Sequence, residues 1–180
     1  MSYNKNMIKI ELPLKDQDIS KLKCGDIVLL SGDVITARDM AHKRLYDMLL
    51  KGESLPFNIE GETVYYVGAA PAPEGFVCGS AGPTSSRRMD PFTPLLMKNG
   101  VKATIGKGKR SKEVKQAIAK YNGIYFCTLG GAGALLSQSI TKTQLICFGD
   151  LGTEAVYRYT LKDFPCIAGI DCNGNDIFEK

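Results

Sequence analysis

The sequence lacks the features that mark membrane-spanning and exported proteins. It contains no run of about 18 apolar residues, so we expect no membrane-spanning helix. The N-terminal segment, MSYNKNMIKIELPLKDQD, has neither an apolar core of signal-peptide length nor a small-residue cleavage site. These two absences predict a cytoplasmic protein without a membrane partner.

Metal ligands are also absent in any recognisable spacing. His42 is the single histidine, and one histidine neither completes a metal site nor supplies the base of a hydrolase triad without other partners. We interpret it as a residue on a helix surface. None of the six cysteines belongs to a C-x-x-C pair. Cys127 and Cys147 lie in apolar runs and are typical of reduced, buried strand thiols.

The glycine-rich stretches do not match nucleotide-binding motifs. GGAGALL (130–136) begins like a dinucleotide-binding fingerprint but lacks the third glycine. GVKATIGKG (100–108) has five residues between Gly100 and Gly106 rather than four, and no Ser or Thr follows Lys107. We therefore expect neither a dinucleotide-binding domain nor a P-loop.

The chain has little excess charge. Its 23 Lys and Arg residues against 19 Asp and Glu residues give a net charge of +4, which does not require a nucleic-acid partner. Residues 106–115, GKGKRSKEVK, hold five of the cations, and such a run is typical of a solvated helix face. An anion-binding or RNA-binding module is the alternative, but aromatic residues do not alternate with these cations.

Length and composition indicate one α/β domain over residues 1–180. A chain of 180 residues with 44% hydrophobic residues buries a core without needing a disulfide or metal. Short apolar stretches bounded by turn residues predict strands. They are GDIVLLSG (25–32), TVYYVGAA (63–70), KATIGKG (102–108), IYFCTLGG (124–131), TQLICFG (143–149), and the separate tail stretches VYRYTLKDF (156–164) and PCIAGID (165–171).

Helices are predicted between these strands by capping residues and apolar spacing. Residues 36–52 carry an apolar stripe, with Thr36 as the N-cap and Gly52 as the C-terminal stop. A second helix is predicted between Ser111 as its cap and Gly123 as its stop. Short helices are predicted in PFTPLLMKNG (91–100) and AGALLSQSI (132–140). The expected result is a sheet core with helices packed on the outside.

Several cations beside turns are candidate anion ligands. Arg38 lies near the predicted start of a helix, where free N–H groups favour an anion. Arg87 and Arg88 follow a hydroxyl-rich turn, and neighbouring side chains there diverge, so only one easily enters a pocket. Lys107 or Lys109 follows a glycine that permits close backbone approach. Each of these residues could equally be an exposed surface cation.

Resemblance to one family is carried by five motifs in order: LLSGDVITARDMAHKRL, GPTSSRRMDPFTP, IGKGKRS, GGAGALL and FGDLGTEAVYRYTLKDFP. Together they resemble the β subunit of two-subunit class I fumarate hydratase and of its relative L(+)-tartrate dehydratase. They also resemble the C-terminal domain of single-chain class I fumarases. The resemblance covers residues 12–179. It implies a swivelling β/β/α domain, with mixed sheets and helices packed on the outside.

The resemblance also implies roles for four residues. Arg38 and Arg88 match arginines that bind substrate carboxylates, and Thr84 matches the proposed catalytic base. Lys107 matches a substrate-binding lysine, with Lys109 as the alternative in another register.

The sequence departs from the family pattern beside Thr84. Ser85 and Arg87 replace residues usual in the family, which has Gly or Ala at the second of these positions. We expect the additional Arg87 to lie outside the substrate pocket.

The implied activity is a hydro-lyase that interconverts fumarate and malate. It is implied only together with an α subunit, as a heterodimer or an α2β2 assembly. A [4Fe–4S] cluster is implied on that α subunit and not on this chain. Three alternatives remain: a tartrate dehydratase β subunit, a structural subunit with a vestigial pocket, and a non-catalytic anion- or nucleic-acid-binding module.

Overall fold

A computed structural model describes residues 7–128 and 131–179. The strands within these ranges are β1 (Ile8–Glu11), β2 (Ile27–Thr36), β3 (Thr63–Tyr65), β4 (Ala103–Gly106), β5 (Ile124–Cys127), β6 (Ile140–Cys147) and β7 (Val156–Ile170). The α-helices are α1 (Asp16–Lys21), α2 (Asp39–Leu50), α3 (Thr93–Lys98), α4 (Lys112–Lys120) and α5 (Gly133–Ser137). Two 3₁₀ helices cover Ser86–Met89 and Gly149–Glu154.

The strands form one mixed sheet in the order β1-β2-β3-β4-β5-β7-β6. β1 to β5 pair in parallel, whereas β7 runs antiparallel to β2, β5 and β6. Because β7 pairs with both β5 and β2, five strands (β2, β3, β4, β5 and β7) form a closed ring of pairings. The result is the mixed α/β architecture that the sequence indicates.

Alternate residues of the central strands enter two different apolar cores. In β5, Ile124 and Phe126 belong to one core and Tyr125 to the other. Val64 and Tyr65 of β3 divide in the same way. Strands buried on both faces appear in the sequence as continuous apolar runs, which explains why IYFC and TVYY are recognisable as strands.

The start of α2 differs from the prediction. Arg38, in extended conformation, is the N-cap. Thr36 is instead the last residue of β2, and its hydroxyl accepts a hydrogen bond from the Tyr157 N–H at 3.0 Å. The end of α2 is confirmed: Gly52 has a φ of +70° and follows the C-cap residue Lys51. Within the described ranges, no helix is long and apolar enough to cross a bilayer.

The ends of α4 agree with the prediction at one side only. Ser111 is the N-cap, and its hydroxyl accepts from the Val114 N–H at 3.4 Å. At the other end the left-handed residue is Asn122, with a φ of +50°, and not Gly123. Gly123 follows it and donates its N–H to the Ile118 carbonyl at 2.9 Å. Asparagine tolerates this conformation better than most residues, so it ends the helix one residue early.

Two strands have lengths that the sequence does not indicate. β3 has only 3 residues, although the Tyr66 N–H that follows it still donates to the Ile105 carbonyl of β4 at 2.9 Å. The tail predicted as two strands is instead one strand, β7, of 15 residues. It continues through Asp163, which has a φ of +48°. β7 is therefore the strand that closes the ring.

Candidate active site

The candidate residues are grouped at one edge of the sheet. The parallel strands β2, β3, β4 and β5 end at Thr36, Tyr65, Gly106 and Cys127. The carboxyl ends of parallel strands share an edge, and α/β proteins commonly bind ligands at this edge, in closed barrels as well as in open sheets. Arg38 follows β2 by two residues, and Lys107 directly follows β4.

The 82–90 segment is fastened to the same edge by main-chain hydrogen bonds. The Thr84 N–H donates to the Tyr66 carbonyl at 2.7 Å. Ser85 forms an isolated parallel bridge with Lys107, and the Ser86 N–H donates to the Lys107 carbonyl at 2.9 Å. Thr84 therefore lies beside the residue that follows β3, one position before the bridge to Lys107.

The loop that carries Thr84 (residues 82–90) and the loop that carries Lys107 approach each other closely, and this approach requires Gly106. A Cβ atom at this position would lie 2.0 Å from Ser86 Oγ and 2.8 Å from a ring carbon of Tyr66. The Ser86 hydroxyl is hydrogen-bonded to the Tyr125 hydroxyl at 3.0 Å. The Tyr125 hydroxyl in turn lies 2.9 Å from the Gly108 carbonyl, to which it donates. These contacts hold the Thr84 loop and the Lys107 loop in one arrangement.

Arg110 is buried beneath both loops, and not on the solvated helix face predicted for residues 106–115. Its side chain is 0% exposed, and its Nε lies 2.7 Å from Asp90 Oδ1. The other carboxylate oxygen of Asp90 accepts from the Ser111 N–H at 2.6 Å. Burial opposes the charged form of Arg110, but Tyr66 and Asp90 outweigh it, and its pKa is raised above the ordinary value.

Further polar partners complete the surroundings of Arg110. Its guanidinium donates to the hydroxyls of Thr104, Thr93 and Tyr66 at 3.1, 2.9 and 3.2 Å. It also lies over the rings of Tyr66 and Tyr125 at 5.2 and 4.9 Å. A buried guanidinium needs such a complete set of partners. The ion pair joins the 82–90 segment, through Asp90, to the turn that follows Lys107.

Arg38 and Arg88 converge on one carboxylate. Arg88 makes a two-point contact with Asp39, with Nε to Oδ1 at 2.9 Å and Nη2 to Oδ2 at 2.7 Å. Arg38 Nε lies 3.3 Å from the same Oδ2 atom. Although these arginines are 50 residues apart in the sequence, both contact one carboxylate oxygen.

Arg38 is oriented by its neighbours on two further sides. Its Nε lies 3.6 Å from Glu154 Oε1, and Glu154 Oε2 accepts from the Met40 N–H at 2.8 Å. A Cβ atom at Gly68 would lie 2.7 Å from Arg38 Cδ, so the arginine stem lies directly against this glycine. The side chain is 26% exposed, which leaves part of the guanidinium accessible.

Lys107 lines a separate cleft of about 520 Å³ at this edge. The other lining residues are Ser85, Arg87, Gly108, Lys109, Cys127, Thr128 and Phe178. Arg87, expected outside the pocket, therefore shares a cleft with Lys107. Successive residues of a 3₁₀ helix differ by roughly 120° in direction, which is why Arg88 reaches Asp39 while Arg87 faces this cleft. Arg38, Thr84 and Arg88 are not among the lining residues.

His42 is buried and not on a helix surface as predicted. It is 1% exposed, and Nδ1 lies 3.2 Å from the Arg38 carbonyl. A carbonyl oxygen only accepts, so Nδ1 carries the proton. Burial lowers the pKa of His42 to about 4. His42 therefore supports the chain at Arg38 as a neutral imidazole.

The described residues show no grouping of ligands that fits an iron–sulfur cluster. Among residues 7–128 and 131–179, no three His, Cys, Asp or Glu side chains form a group able to hold a metal. Burial raises the pKa of the Cys78, Cys147 and Cys166 thiols, which disfavours the thiolate that iron binds.

A family model described as Fumarase C-terminus matches residues 1–180. The chain belongs to the Fumarase C-terminus family. It is 40% identical over 178 residues to "Fumarate hydratase 1, mitochondrial" of Leishmania major, covering 97% of this chain and 32% of that protein. It is 34% identical over 177 residues to "Fumarate hydratase class I, aerobic" of Escherichia coli strain K12, covering 96% of this chain and 32% of that protein.

A tartrate dehydratase subunit, unlike the fumarate hydratases, is matched by this Fumarase C-terminus chain along most of the subunit's length. "Putative L(+)-tartrate dehydratase subunit beta" of Methanocaldococcus jannaschii is 37% identical over 173 residues, covering 93% of this chain and 89% of that protein. The chain thus spans about a third of the fumarate hydratases named above. The family resemblance seen in the five motifs is confirmed.

Proposed function

We propose that the chain is the β subunit of a hydro-lyase that interconverts a four-carbon hydroxy-dicarboxylate and its unsaturated product, malate and fumarate. The convergence of Arg38 and Arg88 on one carboxylate is the observation that carries this proposal. Two guanidiniums around one carboxylate oxygen form a suitable anchor for a substrate carboxylate. Thr84 and Lys107 lie at the same sheet edge, in line with the family roles.

In this proposal, Arg38 and Arg88 bind one carboxylate of the substrate, and Lys107 binds the other. Dehydration removes a proton from the carbon next to a carboxylate and a hydroxide from the adjacent carbon, leaving a double bond. The negative charge that builds on the carboxylate as the proton leaves is stabilised by the cations that hold it. Lys109 is the alternative ligand, since it lines the same cleft as Lys107.

Thr84 is the proposed proton acceptor. Its hydroxyl has no hydrogen-bond partner among the described residues, although its N–H is held by Tyr66. A threonine hydroxyl is a weak base, so the role requires nearby cations and the exclusion of water to favour its deprotonated form. In this proposal, another protein surface covers the edge of the sheet and excludes water from Thr84.

The [4Fe–4S] cluster and the covering surface are proposed to belong to a partner α subunit. The single-chain fumarate hydratases are about three times as long as the matched segment, which leaves room for such a part. The assembly is proposed as a heterodimer or an α2β2 complex in the cytoplasm, with this chain as a swivelling domain. A cluster held in the α subunit would supply a Lewis acid for the leaving hydroxyl.

L(+)-tartrate is the alternative substrate. The match to 89% of a putative tartrate dehydratase β subunit favours it over the remaining alternatives. Both substrates have two carboxylates, so Arg38, Arg88 and Lys107 would serve either one. Turnover of malate against L(+)-tartrate by the assembled enzyme decides between them.

Substitution Thr84→Ala tests the proposed reaction. In the enzyme assembled with its partner, we expect kcat for fumarate hydration to fall by roughly 10²–10⁴-fold, the usual contribution of an acid–base group. Assembly, followed by size-exclusion chromatography, is expected to be unchanged. Thr141→Ala, on the exposed face of β6, is the control and should retain full turnover. Unchanged kcat in the Thr84 variant would exclude this role.

A further inference from the structure

Among the described residues, the Lys107 cleft is lined by three cations and by no carboxylate. Among the ion pairs of the described residues, none involves Arg87, Lys107 or Lys109. Arg38 and Arg88, in contrast, share Asp39. Like charges in one concave space repel each other, and an anion bound between them removes this repulsion. The positive charge of this cleft is therefore not balanced by an ion pair, whereas that of Arg38 and Arg88 is partly balanced by Asp39.

The acidic residue near Arg87 does not neutralise it. The pKa of Glu113 is lowered mainly by hydrogen bonds to its own backbone and to Ser111, and only to a lesser extent by Arg87. No ion pair joins Arg87 and Glu113 within the described ranges. Arg87 is exposed and lines both this cleft and a neighbouring one that contains Glu113.

The remaining lining suits an oxyanion of small-molecule size. Ser85 and Thr128 bring hydroxyl groups, and Phe178 and Cys127 contribute apolar wall. Gly108, with a φ of +81°, turns the chain so that Lys107 and Lys109 line one cleft. The volume of about 520 Å³ lies within the range of roughly 300–1,000 Å³ that is typical of ligand pockets.

We propose that this cleft is a binding site for a multiply charged oxyanion, in which Arg87 and Lys109 act together with Lys107. Three cations exceed the charge of a single carboxylate, so the cleft favours a ligand with at least two negative charges at this end. Phosphate dianion and tricarboxylates have this chemistry. The ligand is either a separate anion or a substrate with a charged group beyond the two carboxylates proposed above. Binding does not depend on the proposed hydration reaction.

Isothermal titration calorimetry on the full chain tests the site without any turnover. Inorganic phosphate and citrate are the probes, titrated at low ionic strength. We expect both to bind, and the double variant Arg87→Ala/Lys109→Ala to weaken binding by about tenfold or more, because two charged contacts are lost. The single variants are expected to lie between the double variant and the unmodified chain.

Lys112→Ala/Lys120→Ala is the matched control, because it removes two exposed cations outside the cleft. It should leave the dissociation constants within about twofold, as expected for distant surface charges. Equal weakening in both double variants would mean unspecific attraction and would overturn the proposal, as would the absence of binding to the unmodified chain. Far-UV circular dichroism verifies that each variant is folded.

Competition by malate or fumarate distinguishes the two sources of the anion. Displacement of bound citrate by malate indicates that the cleft holds one end of the substrate. Simultaneous binding of citrate and malate indicates a separate anion site. Because the titration uses this chain without its partner, its result is independent of the Thr84→Ala experiment.

Discussion

Asp39 occupies the position at which the two arginines meet. Its carboxylate is bound at two points by Arg88 and is 3.3 Å from Arg38 Nε. An incoming substrate carboxylate would compete with Asp39 for the same guanidinium donors. Arg88, which is 52% exposed, has more freedom than Arg38 to exchange partners. At the scale of single residues, Arg38 and Arg88 are therefore already arranged around an anion, the carboxylate of Asp39.

Gly68 is needed for the position of Arg38. In the substitution Gly68→Ala, the new methyl group would lie 2.7 Å from Arg38 Cδ and 2.9 Å from the Thr153 carbonyl. One of these groups must move, and the arginine stem is the more mobile. In the assembled enzyme we expect KM for the dicarboxylate to rise about tenfold or more, because the displaced Arg38 loses a charged hydrogen bond to the substrate.

The control for this change is Gly149→Ala. There the added methyl group would lie 3.3 Å from the flexible end of Leu145, and no substantial effect on KM is expected. If Gly68→Ala leaves KM unchanged, Arg38 is not a substrate ligand in this position.

His42 predicts a pH dependence of stability. Its pKa is lowered from 6.5 to about 4 by burial, so the unfolded chain binds the proton more tightly than the folded protein does. The contribution of neutral His42 to the free energy of unfolding is fully present above pH 6.5 and is lost as the pH decreases towards 4. The total loss in the free energy of unfolding is about 3 kcal/mol.

Urea unfolding at pH 7 and pH 5 measures this effect. Since His42 is the single histidine, the variant His42→Gln should lose most of the difference between the two pH values. An equal difference in the variant would assign the pH dependence to carboxylates instead.

At the scale of elements, the Arg110–Asp90 pair connects two loops with the start of α4. Asp90 follows the 3₁₀ helix that carries Arg87 and Arg88, and Arg110 precedes the Ser111 cap. The pair is buried. Arg110 donates to the hydroxyls of three neighbours, and Asp90 accepts from the Ser111 N–H. Neither loop is therefore free to move independently of the other.

Arg110→Met removes one partner and leaves a buried carboxylate. We expect the free energy of unfolding to fall by about 3–5 kcal/mol, as is typical for breaking a buried ion pair. Lys109→Ala, at an exposed neighbouring position, should change it by less than about 0.5 kcal/mol. Guanidinium chloride unfolding monitors both variants. A loss below about 1 kcal/mol for Arg110→Met would show that Asp90 is satisfied without the arginine.

At the scale of the whole molecule, β7 links otherwise distant strands. It pairs with β2 along most of its length, and with β5 and β6 at different positions. Removing β7 would open the ring and expose both apolar cores. The two cores therefore depend on the same strand.

We expect the chain to unfold as one cooperative unit for this reason. Tyrosine emission reports on both cores, since Tyr65 lies in one and Tyr66 and Tyr125 in the other, and the chain has no tryptophan. Its urea transition should coincide with that of far-UV circular dichroism. Separate midpoints would mean that the two cores unfold independently.

Local patterns in the sequence already determined the element types, several helix ends and the family. Apolar runs identify the doubly buried strands, Ser111 and Gly52 mark helix ends, and the motifs around Arg38, Thr84, Arg88 and Lys107 mark the candidate residues. These signals are local because backbone conformation and capping depend on near neighbours.

Only the tertiary structure decided which of these residues meet. Arg110, Asp90 and Asp39 were not recognised as candidates, because a charged residue in a polar stretch is usually exposed. Their burial or pairing depends on partners distant in the sequence. The same reason explains the misplaced Thr36 cap, whose hydroxyl is used by Tyr157 across the sheet, and the burial of His42. The sequence specifies the groups, while the closed ring of strands brings them to one edge.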